Sequence, residues 1–485
     1  MTAATAALGP ELVTGSGSGA TADDAETVMS WADFRAWERQ LTATGGCTRP
    51  IRLRGRITAI DRATGELATV YDSASEPGGV VSVACGNRRE DACLPCSQVY
   101  KRDARQLVRA GLAGGKGIPE TIAAHPCVFA TFTAPSFGPV HSRRMRGKTV
   151  LLCRPRRDHK ERRCPHGRDI SCATRHVEDD PRLGRPLCPD CYDYEAAVLF
   201  NAHAADLWRR FVTYLPRHLA RLAGVTQKTL RAQVRARFVK VAEYQARGVV
   251  HFHAVIRLDA PGQDYQSPSA PYTAALLGDA VRSAAAAVRI AVPGQHGPAM
   301  TLTFGAPQGT DVRLVRRDDV TGTGHPLNHQ AVANYIAKYA TKTVTAPGLP
   351  AARLHHLAEV ESLRCPPHYK QMIATAWQLG GHRHSGRLRA WAHMLGYGGH
   401  FLTKSRRYSV TFGQLRRART DYRRAQHHPD GERDPWGRPL DETVVLIHRT
   451  WTYTGMGYIA AEGALLALAS AARARDHDDQ ADAAE

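Results

Sequence analysis

The sequence predicts an α+β fold with an antiparallel hairpin in its sheet and metal-stapled segments beside it. Three observations predict it. Two β-branched runs, 234–244 and 249–258, are separated by Gln245-Ala246-Arg247-Gly248, which reads as a hairpin. Several stretches have helical period over more than ten residues. Most of the 11 cysteines are clustered, including the pairs Cys93-Leu-Pro-Cys96 and Cys188-Pro-Asp-Cys191.

Each element has a local reason. Residues 1–28 are rich in Ala, Thr, Gly and Ser and read as a disordered tail. Trp31 to Leu41 and Gln98 to Ala113 read as amphipathic helices. Cys127 to Thr133 is β-branched and aromatic, hence a strand, and the Pro- and Gly-bearing run 134–139 ends it. Tyr194 to Leu222 has helical period, with Pro216 expected to break or kink it. The hairpin follows. Tyr272 to Val292 is Ala-rich and His329 to Thr343 amphipathic, so both read as helices. The last third reads as mostly helical and basic, and 475–485 as an acidic tail. The expected division is a zinc-binding region at 29–115, a core at 116–345 with a zinc-binding insertion at 150–195, and a C-terminal region at 346–474.

Composition narrows the function. The chain has 485 residues, 43% hydrophobic and 23% charged, enough for a large core. No apolar stretch reaches the roughly 20 residues of a membrane helix, and no signal-like segment opens the chain. A cytoplasmic protein without a membrane partner is expected. Lys plus Arg is 65 against 45 acids, a net charge of +20, and only ten of the 65 are Lys. A chain this basic points to a polyanion, and Arg suits phosphates and guanine edges. DNA is the expected partner.

Four constellations could carry chemistry. In His251-Phe252-His253 the two imidazoles share one strand face, as metal ligands would. A hairpin centred on Arg247 sets Glu243 opposite His251, giving a two-histidine, one-carboxylate set for a divalent ion. Gln245 takes that place only if the register slips by two. Tyr335, Lys338, Tyr339 and Lys342 form a tandem Tyr-x-x-Lys. Four residues make about one helical turn, so both phenols face one site with the lysines flanking. A metal ion and lysines near a scissile phosphate would help a phenol attack it.

Cysteines form the third constellation. Cys85, Cys93 and Cys96, with Cys47 as fourth ligand, fit tetrahedral zinc. Cys164, Cys172, Cys188 and Cys191 repeat the spacing and are expected to hold a second zinc, with Cys153, His166 and His176 as competing ligands. The fourth is basic. Residues 143–168 include Arg143, Arg144, Arg146, Arg156 and Arg157, and residues 404–424 include Arg406 and Arg407 beside Tyr408. Cations interleaved with aromatics suit backbone tracking and base stacking.

Taken together in this order, the strand with Thr131-Phe132-Thr133, the His-x-His strand and the Tyr-x-x-Lys helix resemble the HUH endonuclease superfamily. The longer context resembles the RepSA-like replication initiators of actinobacterial plasmids and integrative conjugative elements. That match is carried by Cys85-Gly-Asn-Arg-Arg, Phe129-Ala-Thr-Phe-Thr-Ala-Pro-Ser-Phe-Gly-Pro-Val-His141, Cys164-Pro-His-Gly167, Leu187-Cys-Pro-Asp-Cys-Tyr-Asp-Tyr194, Arg247-Gly-Val-Val-His-Phe-His253 and Gly399-His-Phe-Leu-Thr-Lys-Ser-Arg-Arg-Tyr408. It spans roughly 45–460.

The resemblance implies a five-stranded antiparallel HUH core with the histidine pair on a central strand. It implies Mg²⁺ or Mn²⁺ at His251 and His253, and Tyr335 as nucleophile with Tyr339 as partner or alternate. It also implies nicking and rejoining of one origin strand through a 5′-phosphotyrosine, to start rolling-circle replication. No Walker-type phosphate loop is evident, so a host helicase and polymerase are expected partners. Two other readings use the same residues: a two-tyrosine rolling-circle transposase, and a zinc-dependent DNA-binding regulator without nuclease activity.

Overall fold

The computed structural model describes residues 31–156, 163–262, 265–294, 298–305, 309–315, 332–336, 349, 352–381, 387–427, 433–440, 444–458, 463–465, 467–469 and 472. Both expected tails, 1–28 and 475–485, lie outside the described residues. In chain order the elements are α1 (Trp31–Ala43), β1 (Ile51–Asp61), β2 (Leu67–Asp72), β3 (Val81–Val83), α2 (Leu94–Ala113), β4 (Cys127–Phe132), β5 (Arg144–Arg146) and β6 (Thr149–Leu151). Then follow α3 (Tyr194–Leu222), α4 (Gln227–Gln233), β7 (Arg235–Tyr244), β8 (Val250–Asp259), α5 (Ala274–Ala287), β9 (Ile290–Val292), β10 (Met300–Leu302) and β11 (Thr310–Leu314). The chain continues through α6 (Glu359–Ser362), α7 (Pro367–Leu379), β12 (Leu402–Lys404), α8 (Phe412–His427) and β13 (Val445–Met456). Residues 332–336 are also helical. The class is α+β with antiparallel sheets.

The central sheet has five strands in the order β11-β4-β8-β7-β12, each antiparallel to its neighbours. Side chains alternate between its faces. Val128, Ala130, Phe132, Val250, Phe252, Ala254 and Ile256 join the larger core with α3, α5 and α7. Phe132 meets Trp208, Phe211 and Phe304 there, with ring centroids 5.4, 4.7 and 5.2 Å away. Each buried ring contributes about 1.5–3 kcal/mol. On the opposite face, Phe129, Val239, Val241 and Val255 join α2 and Ile336 in a smaller core.

A buried ionic knot closes one end of that second face. Arg257, 1% exposed, donates from Nε and Nη2 to the Asp259 carboxylate at 2.7 and 2.9 Å. It also donates to the carbonyls of Gly111 and Tyr408. His125 Nδ1 lies 2.9 Å from Asp259 Oδ1. The knot ties α2, β8 and the segment before α8 together.

The structure refines three expectations. Pro216 does not break α3, which runs unbroken from Tyr194 to Leu222. Phe211, Leu215 and Leu219 are buried on both sides of the proline, so packing outweighs its cost of about 3 kcal/mol. The Ala-rich helix is shorter than expected, because Ile290–Val292 leaves it to pair with Met300–Leu302. Among the described residues the C-terminal region also contributes strands: β12 edges the central sheet, and β13 pairs along the whole of β1. Residues from beyond 345 thus complete both the central sheet and the four-stranded sheet of β13, β1, β2 and β3. Among the described residues no helix is long and apolar enough to cross a membrane.

Candidate active site and metal centres

The hairpin folds in the register its turn dictates. Gln245 and Val249 close the turn by a 2.9 Å backbone hydrogen bond, and Gly248 adopts φ +73°, a conformation glycine reaches without strain. Glu243 consequently faces His251 across β7 and β8, and Val241 faces His253. The buried Asn201 amide donates to the carbonyls of Gly248 and Leu395, and its oxygen accepts from Val250 N. Arg247 donates to the carbonyls of Ala134 and Pro135. The hairpin tip is therefore clamped to α3 and to the loop after β4.

Three donors converge on this face. Glu243 Oε2 lies 2.9 Å from His251 Nε2 and 3.2 Å from His253 Nε2. Donors around one ion at ~2.1 Å in octahedral array sit about 3.0 Å apart, so the set fits a divalent cation. Gln245 lies two residues beyond, and the slipped register is excluded. Burial opposes ionisation of Glu243, but the two imidazoles outweigh it and hold its carboxyl below the usual range. Burial pushes His253 down, towards the neutral form that ligates metal. His251 and Glu243 remain partly open to solvent, with side chains 15% and 18% exposed, whereas the His253 side chain is buried at 4%.

Two neighbours that sequence reasoning missed complete the site. Thr131 pairs with His253 across β4 and β8, and its Oγ1 lies 3.1 Å from His253 Nδ1. With Nδ1–H donated to the hydroxyl, Nε2 keeps its lone pair for a cation. Phe129 stacks on His253 with centroids 5.8 Å apart. Both residues stood in the motif, but only strand register shows that they touch the histidine. Thr131→Val is expected to weaken Mn²⁺ binding by about 10-fold or more, read by calorimetric titration.

Tyr335, on the helical stretch 332–336, reaches this centre. It is 38% exposed, and its Oη lies 3.4 Å from His253 Nε2. Its ring meets His253 and Phe129 edge-on, at 5.1 and 5.5 Å. Lys338, Tyr339 and Lys342 lie outside the described residues, as does Arg157.

Three further groups of donors could hold metal. Cys47, Cys85, Cys93 and Cys96 come together as expected. Their sulfurs are 3.8 Å (Cys47–Cys93) and 3.7 Å (Cys85–Cys96) apart. A tetrahedron with ~2.3 Å metal–sulfur bonds has edges of about 3.8 Å. The second expected group is corrected. Cys164, Cys188 and Cys191 converge with His166, whereas Cys172 joins His141, Cys153 and His176. The backbone of Cys172 bridges to Arg154 by two 2.8 Å hydrogen bonds, which draws it to Cys153 and away from Cys164.

The basic residues divide. Arg143, Arg144 and Arg146 are exposed on or beside the β5–β6 hairpin. Arg156 is engaged by Asp169 at 2.6 Å. Arg406 and Arg407 are exposed, and Arg407 donates to Gly262 O at 2.7 Å. Tyr408 is not available to stack on a base. It is fully buried against Gly111, with Arg257 over its ring and its hydroxyl donating to Val108 O.

Fold and site define the class first: a strongly basic α+β protein with cysteine-rich metal-type clusters and a two-histidine, one-glutamate centre beside an accessible tyrosine. The family follows from comparison. Residues 33–472 match the family model described as "Replication initiator protein, pSAM2". A replication initiator protein from Streptomyces ambofaciens is 43% identical over 455 residues, covering 92% of each chain. The chain belongs to the RepSA family of replication initiators. No solved structure matches it.

Proposed function

We propose that the protein initiates rolling-circle replication by nicking and rejoining one strand of origin DNA as an HUH endonuclease. The observation that carries this reading is the convergence of Glu243, His251 and His253 with the Tyr335 hydroxyl at 3.4 Å from His253. A Mg²⁺ or Mn²⁺ ion on the three donors would supply positive charge to polarise the scissile phosphate. Thr131 and Phe129 hold the His253 ring in place. Tyr335 Oη forms a bond to phosphorus as the P–O3′ bond breaks. The phenol proton leaves to solvent and the 3′ oxygen acquires one. Because one phosphodiester replaces another, the step is reversible and supports rejoining. The free 3′-OH primes synthesis by a polymerase, with strand separation left to a helicase. Lys338 and Lys342 would neutralise charge at the phosphate, and Tyr339 would serve a second cleavage.

The nucleic acid would run from this centre over the exposed Arg143, Arg144 and Arg146, with Arg406 and Arg407 as further phosphate partners and Arg156 weakened in that role by Asp169. Replacing Arg143, Arg144 and Arg146 by Ala is expected to flatten the salt dependence of origin-duplex binding, by roughly 0.9 in log–log slope for each phosphate no longer neutralised. Fluorescence anisotropy at graded salt measures it.

The decisive experiment uses a single-stranded origin oligonucleotide labelled at either end. With Mn²⁺, a protein adduct carrying only the 3′ label is expected, and EDTA removes it. Specific binding without any adduct under any metal would leave a zinc-stapled DNA binder as the account.

A further inference from the structure

We propose that the segment 139–192 holds two metal ions, the second a zinc in a Cys₂His₂ centre formed by His141, Cys153, Cys172 and His176. This goes beyond the nuclease reading and rests on no part of it. The four donor atoms lie within 4.8 Å of one another. His141 Nδ1 is 3.2 Å from His176 Nε2, and Cys172 Sγ is 3.5 Å from the same nitrogen. Tetrahedral zinc with ~2.0–2.1 Å bonds to nitrogen and ~2.3 Å bonds to sulfur has edges of about 3.3 and 3.6 Å. The donors are already spaced as ligands.

The surroundings are those of a ligand set. His176 turns its other nitrogen to Asp180, with Nδ1 2.6 Å from Oδ2, and Arg182 holds that carboxylate at 2.8 Å. A carboxylate behind a ligating histidine fixes its tautomer and strengthens it as a donor. Ser142 N–H points at Cys153 Sγ from 3.2 Å, as a thiolate would accept. Cys153 and His176 are fully buried. Four protein donors leave no open position, so the centre is structural. His141 and Cys153 bracket the β5–β6 hairpin, so the ion pins the root of the segment that displays Arg143, Arg144 and Arg146. The neighbouring Cys164, His166, Cys188 and Cys191 then form a complete centre of their own.

The test counts thiolate-held zinc in the full chain. Zinc-loaded, gel-filtered protein is treated first with a chromogenic chelator and then with an organomercurial, which releases zinc only from cysteine sites. The Glu243 centre has no thiolate and does not contribute to the second step. Three equivalents are expected from the wild type. Cys172→Ser and Cys164→Ser should each lose one, and the double variant two. Two equivalents from the wild type overturn the proposal even where the variants fail to fold. So does a Cys172→Ser chain that keeps all three, or a double variant that loses only one.

Discussion

On the proposed mechanism, Tyr335→Phe is expected to abolish the protein–DNA adduct, while Tyr339→Phe is expected to retain it. The substitution removes one oxygen and leaves the ring that packs edge-on against Phe129 and His253, so metal binding and stability should hardly change. Loss of a covalent nucleophile is among the largest effects a side chain produces, on the order of 10⁴–10⁶-fold in rate. Denaturing gels of 3′-labelled origin strand measure it, with Mn²⁺ affinity followed in parallel. An adduct that survives in Tyr335→Phe and disappears only in the double variant would mean that the two tyrosines exchange roles. Unchanged nicking in the double variant would remove both from the chemistry.

Asp259→Ala is expected to cost about 3–5 kcal/mol of folding stability, because it strands the buried Arg257 guanidinium. Denaturant melts of the two proteins provide the comparison, and a loss below about 1 kcal/mol would show that water reaches the knot. The pH dependence has a definite sign. Burial opposes ionisation of Asp259, yet Arg257 and His125 hold its folded pKa below the ordinary value. Its contribution is therefore present above the unfolded pKa of about 4 and is lost as pH falls through the depressed folded value. Wild type should lose this increment on acidification, whereas Asp259→Ala has none to lose.

Much of the site could be read locally. A four-residue turn fixes the register of a hairpin, so counting outward from Arg247 placed Glu243 opposite His251. The first cysteine cluster was also legible, since three of its members lie within twelve residues. The second was not. The interval from Cys164 to Cys172 copies that from Cys85 to Cys93, but the copy is misleading. A backbone bridge between Arg154 and Cys172 sends Cys172 to another centre, and bridges between distant segments leave no periodic signal. Tyr408 failed for a related reason. Beside Arg406 and Arg407 it looked like a stacking platform, yet it fills the hollow left by Gly111, some 300 residues earlier. Thr131 needed the β4–β8 pairing, β12 needed a partner from the middle of the chain, and β13 one from near its start. What stayed hidden was long-range pairing throughout.

The pairing of β1 with β13 has a consequence for how the protein is made. Roughly 380 residues separate the two strands, and at ~5–20 residues per second the ribosome needs about 20–80 s to supply the second. During that interval β1 has β2 and β3 on one side and an open edge on the other. The N-terminal sheet is thus among the last parts to close, reversing the usual N-first order of domain folding. A chain released before residue 445 keeps that edge unpaired, which invites association or proteolysis. Only a chain synthesised through β13 can seal the outer edge of β1.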